Sequence, residues 1–195
     1  MKNLLNYTKL LIALALTVTI LASCEYQEVA DAKFPEQIIY MPTASFGIYK
    51  IDTAATAIGE VPTPGNPYRY KIEQANNKFI IPLGVYRSGV DNEGGFTVNI
   101  VVNTDTITQL INDEQLSEVT AFIPSDKYSI VPEVNMPDGS ESALFDLEID
   151  LDWLKSNPDG IYAIGIGISS EQRETNHRLN TTIILIKPKF IQAIL

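Results

Sequence analysis

Carboxylates are the residues with the widest scope for chemistry in this sequence. Asp146, Glu148 and Asp150 stand at every second position of an alternating run. On a strand they share one face, about 6.6–6.8 Å apart, too far to close around one calcium ion at about 2.3–2.6 Å from each ligand. The row therefore reads as a solvated outer face. Asp91, Asn92 and Glu93 in a glycine-rich loop are better placed for calcium, but they lack the Asp-x-Asp-x-Asp-Gly spacing of a known calcium loop, so no metal is expected. A glycosidase needs two carboxyls facing each other across a cleft at about 5–9.5 Å. With 24 acidic residues in the chain, sequence position alone selects no such pair. His177 is the single histidine and lies in the polar run Glu171–Arg178, where a solvated loop residue is expected. A Ser-His-Asp set would have to include it. Gly165-Ile166-Gly167 opens no helix and is no phosphate loop; glycines inside a strand mark a bulge or close packing. These residues assign no catalytic role and no cofactor, and the chain is expected not to be an enzyme.

Aromatic rings are the other candidates, because they stack on sugar faces. Trp153 follows a strand pattern and precedes a turn, where it either plugs one end of the fold or stands exposed. Tyr86 with Arg87 at a strand end forms the second candidate ligand contact. Tyr68 and Tyr70 alternate with charged residues and are expected to face the core.

The elements that must position these groups repeat with period two. Ile38–Met41 and Phe46–Ile51 are short strand candidates, and Asp52–Pro67 is a loop. Phe79, Ile81, Leu83 and Val85 alternate in one strand, where Pro82 suggests an edge or a bulge. Asn76-Asn77 is a turn signal ahead of it. Phe96, Val98, Ile100 and Val102 alternate in the next. One helix follows, with Thr104 or Asp105 as its cap and Ile107, Leu110 and Ile111 as its apolar stripe. Val119–Ile123 and Tyr128–Val131 are further strands. Ala143, Phe145, Leu147, Ile149 and Leu151 give the cleanest alternation in the chain. Ile161–Ser169 and Asn180–Lys187 are the last strands. Many short strands with one helix predict an all-β sandwich.

The N-terminus carries a different signal. Lys2 and Lys9 precede the apolar run Leu10–Ile20, about half the ~20 residues a spanning helix needs. Leu21-Ala22-Ser23-Cys24 follows and resembles the bacterial lipobox. That resemblance implies a signal peptide over residues 1–23, cleavage after Ser23 and lipidation of Cys24. Two or more acyl chains hold a protein stably on a bilayer. Residues 24–33 read as a polar tether and residues 34–190 as the folded domain. Cys24 is the only cysteine, so no disulfide is available and the core must carry stability. The formal charge of −10 becomes −12 once Lys2 and Lys9 are removed, which argues against a nucleic-acid partner.

The order of several motifs also resembles a known family. They are Phe34–Pro42, Val85-Tyr86-Arg87-Ser88-Gly89, Phe96–Ile100 leading into a helix, Ile123–Ser129 and Met136–Ser140. The series is similar to an immunoglobulin-like domain of unknown function found in lipoproteins of glycan-utilisation loci. The same domain precedes some family 18 endo-β-N-acetylglucosaminidases. The resemblance implies an immunoglobulin-like β-sandwich on the cell envelope and carries no catalytic residues. It implies an outer-membrane lipoprotein, with surface exposure left open, that acts without catalysis in the capture or handling of glycans. A polysaccharide or oligosaccharide is then the expected ligand. A structural or adhesion module docking another envelope protein is the alternative, and a glycoside hydrolase the second. Asp52-Thr53-Ala54 and Asp105-Thr106-Ile107 resemble the O-glycosylation acceptor of some of these bacteria, which makes Thr53 and Thr106 candidate acceptors.

Overall fold

In the computed structural model, residues 36–54, 68–89 and 91–195 are described. The signal peptide, Cys24, the tether and most of the Asp52–Pro67 loop lie outside them.

Among these residues twelve strands form: β1 Ile38–Tyr40, β2 Ile48–Ile51, β3 Lys71–Glu73, β4 Lys78–Arg87, β5 Phe96–Val102, β6 Ala121–Phe122, β7 Tyr128–Ile130, β8 Glu133–Met136, β9 Ser142–Asp150, β10 Tyr162–Ser169, β11 Glu174–Thr175 and β12 Thr181–Ile186. Among the described residues there are three α-helices: α1 Thr104–Asn112, α2 Leu151–Ser156 and α3 Ile191–Ile194. The strands make two six-stranded sheets. The first runs β11-β1-β4-β9-β7, with β3 also on β4. The second runs β2-β12-β10-β5-β8, with β6 also on β10. This is the β-sandwich that the alternation implies.

The longest ladder joins β4 to β9 in antiparallel register, from Lys78 opposite Asp150 to Tyr86 opposite Ser142. At its two ends Leu151 donates its N–H to the Asn77 carbonyl (3.1 Å) and Arg87 donates to the Glu141 carbonyl (3.0 Å). Both bonds join odd-numbered residues. Since hydrogen-bonded pairs alternate along an antiparallel ladder, the odd residues of β9 bond to β4 and the even ones turn their N–H and C=O to the opposite flank. The same parity explains Pro82. It sits at an even position, so its missing N–H belongs to the flank away from β9. That flank is paired by β3 up to Ile80 and by β1 from Tyr86, and Pro82 falls in the interval between them. Proline is thus accommodated inside a central strand, neither at an outer edge nor in a bulge.

Side chains follow the period too. Phe79, Ile81, Leu83 and Val85 of β4 and Leu147 and Ile149 of β9 are at most 1 % exposed and meet Val98, Ile164, Ile166 and Ile184 of the other sheet in one core. A second, smaller cluster lies on the outer face of β10 and β12, where Ala163, Ile183 and Leu185 pack beneath Ile107 of α1. The cap of α1 is Asn103, one residue before the expected Thr104 or Asp105; its Oδ1 accepts the Thr106 N–H at 3.0 Å. Only the first residue of the predicted stripe, Ile107, is fully buried.

Other differences are local. Tyr70 is buried as expected, stacked on Phe79 with ring centroids 4.9 Å apart, whereas Tyr68 is exposed; both precede β3, which begins at Lys71. Leu151 is buried like the rest of its row but already belongs to α2. Phe46 lies in a 3-10 turn, Pro42–Phe46, so β2 starts at Ile48.

Gly165 shows why glycine alternates with isoleucine in β10. A Cβ there would collide with the carbonyl oxygen of Asn103, whose N–H donates to the Gly165 carbonyl at 2.8 Å. The glycine therefore lets the start of α1 lie directly on the sheet. Gly165→Ala is expected to cost about 2–3 kcal/mol through overpacking against backbone. Thermal unfolding should register this as a Tm lowered by about 5–10 °C.

Candidate functional site

The outward row of β9 does not stand alone in solvent. Lys78 Nζ is 2.7 Å from Glu148 Oε2, and this contact holds the Lys78 ammonium above its ordinary pKa. Lys127 lies 3.2 Å from Asp126 and 3.9 Å from Asp150. Asp150 is the N-cap of α2: its Oδ1 accepts the Trp153 N–H and one Nδ2 hydrogen of Asn77, both at 3.0 Å. Asn77 in turn accepts the Asp152 N–H at 2.9 Å from a left-handed backbone conformation, φ 54°. The Trp153 N–H is the main reason the Asp150 carboxyl is held below its ordinary pKa, with Asn77 and Lys127 acting in the same direction.

These groups border a groove of about 260 Å³ between β7, the end of β9 and the start of β4. Asn76, Lys78, Asp126, Tyr128, Ser129 and Glu148 are among its lining residues. Its floor presents side-chain amide, ammonium, carboxylate and hydroxyl groups and one tyrosine ring. That set forms hydrogen bonds in both directions with a polyhydroxylated ligand. The sequence offered Asn76-Asn77 as a turn, Glu148 and Asp150 as a solvated row and Tyr128 as the start of a strand; what brings them together is the β7–β9 pairing, which no local pattern encodes.

The row is poorly arranged for hydrolysis. A general acid needs a pKa raised toward the working pH, and Asp150 is shifted the other way. Burial raises Asp146 above the ordinary carboxylate range, Lys71 opposing and Glu148 and Glu73 adding to it. Yet Asp146 and Glu148 project from the same face of one strand and do not oppose each other across a cleft. Among the described residues, no group of three or more His, Cys, Asp or Glu is placed to hold a metal ion.

Tyr86 and Arg87 lie inside the fold and not on a ligand-facing surface. They are 9 % and 5 % exposed. The Arg87 guanidinium donates to the carbonyls of Glu93 and Gly94 at 3.0 Å each and of Pro137 at 2.6 Å. It also lies over the Phe96 ring, 5.1 Å from the centroid. Desolvation, with Arg173 nearby, lowers its pKa from the usual arginine value. Arg87 is thus a clamp between two loops. Tyr86 packs on Tyr40 with ring centroids 6.1 Å apart. Asp91 of the acidic loop is engaged in turn structure: its Oδ1 accepts from the Gln37 amide at 2.7 Å and from the Glu93 N–H at 3.2 Å.

Trp153 is half-buried and packs against Tyr162, ring centroids 4.5 Å apart. Its backbone N–H fixes Asp150 at the groove, whose lining does not include the ring. His177 is exposed, 3.9 Å from Glu174. Thr53 is exposed just past β2, and Thr106 is half-buried in the first turn of α1.

Residues 40–175 match the model of a family described as an N-terminal domain. No curated protein matches the chain. Several solved structures share the fold. A candidate carbohydrate binding protein from Bacteroides ovatus superposes with a TM-score of 0.53 at 11 % identity, over 77 % of this chain and 36 % of that one. A two-domain protein of unknown function from Bacteroides fragilis gives 0.50 at 10 % identity, over 77 % and 45 %. The Bacteroides thetaiotaomicron EndoBT-3987 in complex with its Man5GlcNAc product gives 0.49 at 10 % identity, over 76 % and 30 %. The chain therefore spans less than half the length of each of these proteins.

The Asp150 cap can be tested by pH. Its pKa is lowered on folding, so its contribution is present above the unfolded value of about 3.9 and is lost as pH falls through the folded value. Asp150→Ala is expected to cost about 1–2 kcal/mol at pH 7. In urea titrations the gap between the two proteins should narrow steadily below about pH 4; a gap independent of pH would remove the carboxylate from the cap.

Proposed function

The chain belongs to the N-terminal-domain family that it matches over residues 40–175, and on that premise we propose that it is a non-enzymatic, membrane-anchored binding or accessory module for glycans at the cell envelope. The observation that carries this reading is the polar groove beside β7 and β9, where Glu148 pairs with Lys78 and the Asp150 carboxylate is fixed as an acceptor by Asn77 and the α2 backbone. Sugar hydroxyls donate to such acceptors and accept from the neighbouring ammonium and amide groups. The B. ovatus structure of the same fold, a candidate carbohydrate binding protein, supports the choice of ligand class.

The anchor belongs to the same proposal. Cys24, carrying the lipid, would place the domain on the outer membrane with residues 24–33 as a spacer, and residues 34–190 would present the groove. Among the described residues no helix is long and apolar enough to cross a membrane. Thr53, exposed beside β2, is the better of the two candidate glycosylation acceptors.

Two measurements test the two halves. Labelled palmitate should enter the wild-type protein in cells and be absent from Cys24→Ala; equal labelling of both would end the lipoprotein assignment. A glycan-array screen, followed by calorimetry on any hit, should show binding that falls at least about tenfold in Tyr128→Ala or Trp153→Ala, a loss of about 1.4 kcal/mol. Silence across a broad array would shift the function to docking of an envelope protein.

A further inference from the structure

The flank of β9 that faces β7 is only partly covered. The β7–β9 pairing runs from Tyr128 opposite Ile149 to Ile130 opposite Leu147 and stops there. By Pro132 the chain has crossed to the other sheet, where the Pro132 carbonyl accepts the Ile100 N–H at 2.8 Å. β9 nevertheless begins at Ser142. Among the described residues, its stretch from Ser142 to Asp146 is therefore paired with β4 on one side and has no paired strand on the other. The ladder parity derived above turns the N–H and C=O of Leu144 toward that uncovered side, while the C=O of Asp146 faces the end of β7.

A second groove, about 430 Å³ in volume, lies along this flank. Val131, Leu144 and Phe145 give it an apolar lining, and Glu133, Asp146 and Glu148 supply carboxylates at its border. Leu144 is 50 % exposed and Val131 44 %. Glu148 is balanced by Lys78, while among the described residues Glu133 and Asp146 have no cation within ion-pair distance, Lys71 acting on Asp146 from farther away. Burial and the neighbouring acids already disfavour charge on Asp146. An apolar slot with strand backbone on one wall and surplus acid on its border is complementary to an extended, basic peptide.

We propose that the open flank of β9 beside Leu144 and Asp146 accepts an extended protein segment as an added antiparallel strand, with a basic residue next to Asp146 and apolar residues against Phe145 and Leu144. The backbone of Leu144 supplies affinity without reading sequence, and the acids supply the preference for positive charge. This site adjoins the polar groove but does not depend on the glycan reading.

The test uses the full chain and the blocked peptide acetyl-Thr-Arg-Val-Leu-Val-Thr-amide, with amide hydrogen exchange followed residue by residue. In the free protein the Leu144 amide should exchange fast while its neighbours Ala143 and Phe145, bonded to β4, are protected. Added peptide should slow Leu144 selectively. Replacing arginine by glutamate in the peptide, or Asp146→Lys in the protein, should weaken binding at least about tenfold, and added salt should weaken it too. A peptide N-methylated at alternate amides, which keeps its side chains but cannot complete the ladder, should fail to bind. The proposal is overturned if Leu144 is as protected as Phe145 in the free protein. Equal binding by the N-methylated peptide, or protection of Leu144 by an oligosaccharide and not by the peptide, would overturn it as well.

Discussion

The ladder between β4 and β9 is the constraint on which the other features hang. It runs without a bulge from Lys78–Asp150 to Tyr86–Ser142. Because side chains alternate with period two, this register places Phe79, Ile81, Leu83, Phe145, Leu147 and Ile149 in the core and Lys78, Asp146 and Glu148 outside it. A slip of one residue would reverse both sets, burying three charges and exposing the apolar row. The ends of the ladder are pinned in different ways. At one end Asn77 and Asp150 cap α2 and each other. At the other, Arg87 grips the carbonyls of two loops.

Arg87 shows how a buried charge is held without an ion pair. Every acceptor it meets within 3.0 Å is a neutral carbonyl, and the Phe96 ring adds a cation–π contact. Carbonyl oxygens offer partial charge in the fixed geometry of a fork, which a lysine ammonium cannot match. The cost shows in the lowered pKa and in an Nε with no hydrogen-bond partner. Such a residue stitches the loop at Glu93–Gly94 to the turn at Pro137 and closes that end of the sandwich. The end that carries the polar groove is held instead by exposed or half-exposed ion pairs, which adapt to a ligand at little cost.

Sequence patterning revealed the parts of the fold in which one face is buried over a long pairing. β9, the core-facing rows of β4 and β10, and β5 as far as Ile100 follow their alternation, and the sandwich class follows from them, whereas Val102 is exposed. It did not reveal β6, β8 and β11 in their final form. Two- to four-residue strands are defined by the neighbour they reach, and β11 sits in a polar run that only its pairing with β1 makes a strand. Asn103, Thr104 and Asp105 all bear a capping oxygen, and the Gly165 contact selects the first. Tyr86-Arg87 looks like an exposed aromatic–cation pair because its partners are backbone carbonyls from distant loops, which have no signature in the side-chain pattern. Trp153 belongs to a helix that the continuing alternation through Leu151 concealed.

The brevity of β7 gives the two sides of β9 their different character. Where β7 is present, the outward row meets Lys78 and Lys127 across neighbouring strands, and its carboxylates become fixed acceptors in a polar groove. Where β7 is absent, the same strand offers bare backbone, an apolar lining and a carboxyl whose pKa burial raises. The chain leaves β7 after Ile130, and by Pro132 it lies on the other sheet, where the Pro132 carbonyl accepts the Ile100 N–H. That crossing divides a single sheet edge into a surface suited to hydroxyl groups and a slot suited to extended backbone. Neither surface needs a catalytic residue.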